Sequence, residues 1–156
     1  MAWTPLWFGK HRGKTLPQVL FSDPDWFFWA VENNVFEDKG VLAKEAEEID
    51  FKARHIRIPN EEGEDLVAEY LIHPSTGKFG DMNVVLRSQP LHEGASPAHR
   101  KDVIDLSFPR QIAPYDKLGC KNLLSSVKYY LFGCSSYRMT RTRCEAFFDD
   151  DTKFVL

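Results

Sequence analysis

The N-terminal part of the chain carries an aromatic and basic stretch, Trp7-Phe8-Gly9-Lys10-His11-Arg12-Gly13-Lys14-Thr15. Glycines stand at both shoulders of its central residues, and glycine readily adopts the backbone angles that a tight reversal needs. We therefore predict a β-hairpin in which Trp7-Phe8 pairs with Thr15-Leu16. His11-Arg12 would form its tip.

A helix is predicted directly after this hairpin, over residues 24–33. Asp23 can cap it, Pro24 suits its first turn, and the charge of Asp25 favours the positive end of the helix dipole. Its apolar band is too wide for an ordinary surface helix, so two faces should be covered. We accordingly interpret Phe8, Trp26 and Trp29 as core residues.

The rest of the chain alternates between helical and strand patterns. Apolar residues spaced by three and four predict a helix over 40–54, with Glu45, Glu47 and Glu48 on a solvated outer face. Period-two patterns predict strands over 55–58, 66–73, 79–87 and 103–108, with an exposed loop over 89–101. Helical spacing returns over 118–133 and 140–148.

These elements predict an α+β fold. A small hairpin-helix module (residues 1–35) and a linking helix (36–54) precede an α+β domain (55–156). In that domain an antiparallel β-meander is packed with C-terminal helices.

The charge of the chain is distributed unevenly. The 156 residues carry a net charge of −3, yet residues 1–20 contain three cations and no acid, and residues 21–50 contain nine acids and two lysines. A protein that binds nucleic acid over its whole surface is usually basic overall. Any nucleic-acid contact must therefore be local.

The composition also indicates a compartment. No apolar run approaches the roughly 20 residues of a membrane span, and the N-terminus does not resemble a signal peptide. The three cysteines form no CxxC pair, which favours reduced thiols. We expect a cytoplasmic protein without a membrane partner, in which Cys144 is a buried side chain despite nearby Arg141 and Arg143.

The basic stretch has a family resemblance. The run 8–16, followed by Asp23-Pro24-Asp25-Trp26-Phe27-Phe28-Trp29, resembles the C-terminal domain of the exodeoxyribonuclease X family, which also occurs in small phage and bacterial proteins. The similarity covers residues 6–34. In that family the domain is appended to the catalytic part, so the resemblance implies an accessory role in engaging DNA. No exonuclease catalytic motif accompanies it here. The stretch also fails the phosphate-binding loop pattern. That pattern needs four residues between its first glycine and Gly-Lys-Thr, and only three residues separate Gly9 from Gly13-Lys14-Thr15.

The predicted contact residues are cations of the hairpin and of the C-terminal region. Lys10, His11, Arg12 and Lys14 would bind phosphates, and Trp7, His11 or Trp26 could stack on bases. Arg138 and Arg141 are three apart on a predicted helix face. They either extend this phosphate track or pair with the acidic run 149–151. We predict no catalytic residue, no metal ligand and no cofactor.

Three functions are compatible with the sequence. The leading one is a small, phage-derived, non-catalytic accessory protein that contacts the phosphates of DNA or RNA. The second is a protein-interaction module that inhibits or adapts a host nucleic-acid enzyme through the acidic helix at 45–50. The third is a metal-dependent nuclease on the sheet, although its candidate residues lack ligand spacing: Glu69, His73, Asp81, His92, Glu93, His99 and Asp105.

Overall fold

The computed structural model describes residues 2–60, 62–73, 75–76, 78–91, 98–108, 110, 116–134 and 138–156. In those residues the chain has five α-helices and antiparallel strands, which confirms the α+β class. The helices are α1 (Leu16–Ser22), α2 (Pro24–Glu32), α3 (Val41–Ala53), α4 (Lys117–Phe132) and α5 (Arg141–Asp149). The strands are β1 (Ile56–Arg57), β2 (Leu66–Ile72), β3 (Phe79–Leu86), β4 (Ala98–Lys101) and β5 (Val103–Ile104). None of these helices combines the length and the apolarity needed to cross a bilayer.

The predicted N-terminal hairpin is wrong. Residues 6–14 instead form a loop without strands, which we call loop 6–14. Leu6 closes it, because its N–H donates to the Lys14 carbonyl at 2.9 Å and its carbonyl accepts from the Gly13 N–H at 2.8 Å. Gly9 and Gly13 have φ angles of 74° and 87°, so the expected glycine conformations are present.

Helix α1 replaces the second strand of that hairpin. Thr15 precedes it, and the Thr15 N–H donates to Oε1 of Gln18 at 3.0 Å. This is one half of a capping box, and Pro17 suits the first turn. Thr15 is therefore the N-cap of a helix and is not available to a strand ladder.

The predicted helices at 24–33 and 40–54 are confirmed as α2 and α3. Asp23 caps α2, where its Oδ1 accepts from the Trp26 N–H at 3.2 Å. The predicted solvated acidic face of α3 is wrong at Glu45, which is 1% exposed. The Glu45 carboxylate accepts from the N–H of Thr4 at 2.8 Å and from its hydroxyl at 2.6 Å. This acid therefore anchors the N-terminal segment.

The main sheet is antiparallel in the order β3–β2–β4. The β2–β3 pairing extends from Leu66 opposite Leu86 to Ile72 opposite Phe79, as the sequence predicts. Strand β4 pairs with the other edge of β2, so the loop predicted over 89–101 is wrong at residues 98–101. The reason is that β2 is buried along most of its length, and its backbone groups need partners on both sides.

The strands predicted over 55–58 and 103–108 are shorter than predicted, and they pair with each other as β1 and β5 in a second sheet instead of joining one meander with β2 and β3. Ile56 lies opposite Ile104 and Arg57 opposite Val103. The strand predicted over 103–108 stops at Ile104 because the Asp105 carboxylate accepts from the N–H of Ser107 at 2.8 Å, which turns the chain. The predicted turn residues Pro74 and Gly77 lie outside the described residues.

The core is one hydrophobic cluster that contains residues from Trp3 to Phe154. Helix α1 packs on α5, where the Phe21 ring lies 5.3 Å from that of Phe147 and 5.7 Å from that of Phe148. The predicted C-terminal helices are confirmed as α4 and α5. The division into residues 1–35, 36–54 and 55–156 stays a prediction, and the cluster draws residues from all three ranges.

Candidate functional site

His11 lies inside loop 6–14 and not at an exposed tip. It is 8% exposed, its Nε2 lies 2.9 Å from Oδ2 of Asp23, and its ring meets that of Trp26 edge-on at 5.0 Å. Because an ionised carboxylate can only accept, Nε2 carries the proton in this pair. Its Nδ1 is buried with no hydrogen-bond partner among the described residues. The predicted place of His11 at a hairpin tip is therefore wrong, and His11 fastens the loop to the start of α2.

The Asp23 carboxylate accepts hydrogen bonds from three donors where loop 6–14 meets α2. It is bonded by Lys10 Nζ and His11 Nε2, both at 2.9 Å, and by the Trp26 N–H at 3.2 Å. Burial of the carboxylate would raise its pKa, but these three hydrogen bonds outweigh it and leave the pKa of Asp23 below its usual value of 3.8. Asp23 is therefore a fixed negative charge that organises the loop.

A groove lies between loop 6–14, the α1–α2 junction and α4. Its volume is about 500 Å³. We call it the lysine groove, because four of its lining residues are lysines. The lining residues are Lys10, His11, Lys14, Ser22, Asp23, Pro24, Asp25, Lys117, Cys120, Lys121 and Leu124.

The cations of the lysine groove outnumber its acids, and both acids are already paired. Asp23 binds Lys10 at 2.9 Å, and Asp25 binds Arg110, which lies outside the groove lining, at 3.1 Å. The other three lysines are exposed and have no carboxylate partner in the part of the chain that the structure describes: Lys14, Lys117 and Lys121. The groove therefore has uncompensated positive charge.

The start of α4 is held in place by a side-chain cap. Asp116 accepts from the Gly119 N–H at 2.8 Å and from the Phe79 N–H of β3 at 3.2 Å. A Cβ added at Gly119 would lie 2.3 Å from the Asp116 carboxylate and 2.8 Å from the Phe79 Cβ. Only glycine permits this close approach, which fixes the two α4 lysines relative to the sheet.

The predicted cations outside the groove are distributed differently. Arg12 is exposed on loop 6–14, and its guanidinium has no carboxylate partner within the described ranges. Arg141 bonds Glu145 at 2.7 Å, and the same Glu145 oxygen accepts from the Thr15 hydroxyl at 3.1 Å. Arg141 is therefore linked to Thr15, the residue after loop 6–14, through the shared carboxylate of Glu145. Its carboxylate partner is Glu145 and not the acidic run 149–151.

Arg138 does not share a helix face with Arg141. It precedes α5, whose N-cap is Thr140, and its carbonyl accepts from Nη1 of Arg143 at 2.7 Å. The acidic run is used elsewhere, because Asp149 accepts from Trp3 Nε1 at 3.0 Å and Asp151 binds Lys52 at 3.0 Å. The predicted helix face of 138 and 141 is therefore wrong.

The aromatic residues of the motif divide into buried and exposed rings. Trp26 and Phe8 are partly buried and pack against the core, as predicted. Trp29 is 42% exposed, so its assignment to the core is wrong. Trp7 is 52% exposed, and its ring meets Phe8 edge-on at 5.6 Å. Trp7 is thus the exposed tryptophan of loop 6–14.

The thiols of Cys120 and Cys144 are poor nucleophiles. Burial, with smaller contributions from the charges of Asp25, Asp116 and Asp23, raises the pKa of Cys120 in the lysine groove to about 11. Burial and the charge of Glu145 raise the pKa of Cys144 to about 11, and Cys144 is 1% exposed, as predicted. Because the thiolate is the reactive form, neither cysteine is suited to covalent catalysis.

The acids of the sheet are used in internal bonds. Glu69 is buried against Arg100 at 2.8 Å, and Asp105 accepts from Lys101 at 2.8 Å. Among the described residues no three His, Cys, Asp or Glu side chains are arranged to hold a metal ion. His92 and Glu93 lie outside the described residues.

Sequence reasoning missed Lys117 and Lys121. The available signal was their spacing of four near the start of the helix predicted over 118–133. The helix begins one residue earlier than predicted, at Lys117, so both lysines lie on one face. That spacing does not indicate which other segment the face meets.

Comparisons with protein-family models, with characterised proteins and with solved structures found no match. The resemblance of residues 6–34 to the exodeoxyribonuclease X C-terminal domain therefore stays a prediction.

Proposed function

We propose that this protein is a small, phage-derived, non-catalytic accessory protein of the cytoplasm that binds nucleic-acid phosphates in the lysine groove. One observation carries the proposal. Lys14 of loop 6–14 and Lys117 and Lys121 of α4 line the same groove, and none has a carboxylate partner within the described parts of the chain. The resemblance of the loop motif supports the same function.

The electrostatics of the groove favour a polyanion. Like charges brought together in one concave surface repel each other, and this repulsion is relieved when phosphates bind between them. A phosphate backbone also releases condensed counterions when lysines neutralise it. Contacts from four lysines give an expected slope of log K against log salt of about −3 to −4. Binding should therefore be moderate and strongly dependent on salt.

The test is fluorescence anisotropy with labelled DNA and RNA oligonucleotides at low salt. The groove variant carries Lys14→Gln, Lys117→Gln and Lys121→Gln. The control variant has the same net charge and carries Lys44→Gln, Lys78→Gln and Lys153→Gln, at three exposed lysines outside the groove lining. We expect the groove variant to bind at least about tenfold more weakly and the control variant to retain its affinity. Absence of binding by the parent protein, or equal losses in both variants, would refute the proposal.

The alternative of an acidic protein-docking face has less support. Of the acids on α3, Glu45 is buried, Glu48 binds Lys52 at 3.0 Å, and Asp50 binds Arg54 at 3.0 Å. Glu47 remains exposed. A pull-down that recovers one host protein after nuclease treatment, together with no oligonucleotide binding, would favour this alternative over the proposal.

A further inference from the structure

We infer that the lysine groove accommodates an unpaired nucleotide, so that the partner is a single strand and not a duplex. This inference rests on the proposed function. It follows from the shape of the groove, from the apolar residues in its lining, and from an exposed tryptophan on loop 6–14, the loop that contributes Lys10 and Lys14 to the groove.

The lining combines cations with an apolar surface. Pro24, Leu124 and Cys120 contribute apolar atoms, while the lysines are exposed. A volume of about 500 Å³ lies within the range of pockets that enclose small ligands, and is enough for one nucleotide. Such a groove can pack a base against its apolar part while the lysines hold the adjoining phosphates.

A duplex cannot use this combination. Its bases are stacked and paired, so only their edges are accessible, and its phosphates lie on a convex outer surface. The apolar lining would then face solvent or a phosphate. A single strand can turn a base out of its stack and insert it into a recess.

Trp7 provides a second contact for an unpaired base. It is 52% exposed, it belongs to the same loop as Lys10 and Lys14, and Arg12 of that loop has no carboxylate partner within the described residues. Trp7 does not line the groove itself, so its indole would stack on another base of the strand, as exposed aromatic rings do in proteins that bind single strands. Trp7 therefore selects for unpaired bases, whereas the lysines bind any phosphate backbone.

The experiment compares a fluorescently labelled single strand of about 12 nucleotides with a duplex of the same sequence, each in a DNA and an RNA version. Titrations are run at low salt on the full chain by anisotropy. We expect the single strand to bind at least about tenfold more tightly than the duplex. Trp7→Ala should weaken single-strand binding about tenfold and leave duplex binding unchanged. The matched control is Trp29→Ala, because Trp29 is 42% exposed but lies on α2 and not on loop 6–14.

A second pair of variants tests the apolar part of the groove. Leu124→Ala should weaken single-strand binding several-fold, whereas Leu118→Ala, on the same helix but 68% exposed and outside the groove lining, should not. Thermal unfolding of each variant controls for misfolding.

The possible outcomes distinguish this inference from the proposed function. Equal or tighter binding of the duplex that still depends on the groove lysines would overturn the single-strand inference and leave the proposed function standing. Equal effects of Trp7→Ala and Trp29→Ala would also overturn the inference. Failure to bind either oligonucleotide would overturn both.

Discussion

The lysines of the lysine groove and Lys52 carry the same charged group in opposite surroundings, exposed in the groove and buried at Lys52. The Lys52 side chain is 6% exposed, and its Nζ meets the Phe148 carbonyl at 2.8 Å, Asp151 at 3.0 Å and Glu48 at 3.0 Å. In the groove, Lys14, Lys117 and Lys121 are exposed and have no carboxylate partner in the described residues. A lysine whose donors are satisfied within the protein stabilises the fold, and a lysine without partners is available to a ligand.

The pKa of Lys52 reflects its role in the fold. Burial alone would lower it, but the hydrogen bonds and charges of Asp151 and Glu48 outweigh burial and leave the pKa above its usual value of 10.5. A raised pKa stabilises the folded state below the unfolded value, and this stabilisation is lost as the pH rises through the folded value. The Lys52 contribution is therefore constant at neutral pH and falls in strong alkali.

The largest expected effect belongs to Lys52→Ala. It leaves the buried Phe148 carbonyl without its donor and removes the packed lysine stem, whereas the carboxylates of Glu48 and Asp151 are 38% and 71% exposed and regain solvent. We therefore expect a loss of about 2–3 kcal/mol in the free energy of unfolding. Urea denaturation followed by tryptophan fluorescence measures it, and Lys44→Ala on the exposed side of α3 is the control. Oligonucleotide affinity should not change under conditions in which the variant is folded. A loss of affinity in the folded variant would contradict the distinction between Lys52, which stabilises the fold, and the groove lysines, which are proposed to bind the oligonucleotide.

Gly119→Ala should have the next largest effect. Alanine gains about 1 kcal/mol in helix propensity, but its methyl group would collide with Asp116 and Phe79, which costs roughly 1–3 kcal/mol. We expect a net loss of up to about 2 kcal/mol, measured by thermal and urea unfolding. Because Gly119 sets the start of α4, oligonucleotide affinity should fall as well. Asn122→Ala, at an exposed position of the same helix, should leave affinity unchanged and raise stability by about 0.5 kcal/mol through helix propensity, and a stabilised Gly119→Ala protein would refute the packing argument.

Asp23→Asn tests the attachment of loop 6–14 to α2, since Asp23 binds the groove residue Lys10 and caps α2. Asparagine also caps helices, so the change removes mainly the charge, and we expect a loss of about 1 kcal/mol at neutral pH. The lowered pKa of Asp23 stabilises the fold above the unfolded value of 3.8, and this contribution is lost as the pH falls through the folded value. The difference between parent and variant should therefore shrink below about pH 4. Asp38→Asn, at a highly exposed residue, is the control, and a difference that grows in acid would contradict the assignment.

The smallest effect on stability is expected for the groove variant with Lys14, Lys117 and Lys121 changed to glutamine. These side chains have no internal carboxylate partner in the described ranges, so the free energy of unfolding should change by less than about 0.5 kcal/mol. The slope of log K against log salt should fall by about 2 to 3. Calorimetry and anisotropy over a salt series measure the two quantities. A clear destabilisation would show that these lysines stabilise the fold, as Lys52 does, and would contradict the comparison.

Much of the fold could be predicted because local patterns determine it. The N-cap Asp23, the apolar spacing of α3 and α4, and the alternation in β2 and β3 are signals carried within each segment. Helix α1 was missed although Thr15 and Gln18 form part of a capping box, because the glycines before it favoured a hairpin. Strand β4 has no apolar alternation, and it forms because β2 needs a second partner.

The candidate site could be predicted only in part. The basic character of loop 6–14 is visible in the sequence, whereas the burial of His11 depends on Asp23 and Trp26 closing over it. Glu45 was expected in solvent because its neighbours in sequence are acidic, but its partner Thr4 lies 41 residues away along the chain. The placement of distant segments around one groove, such as loop 6–14 with Lys117 and Lys121, is not encoded in any local pattern.

The contact between the two ends of the described chain has a consequence for protein synthesis. Trp3 donates to Asp149, and the rings of Phe147 and Phe148 cover Phe21 of α1. A ribosome releases the N-terminal segment first, so the part of α1 that faces α5, including Phe21, stays uncovered until α5 has left the exit tunnel. A nascent chain that stalls before Cys144 therefore exposes aromatic side chains, and such surfaces are those that chaperones bind.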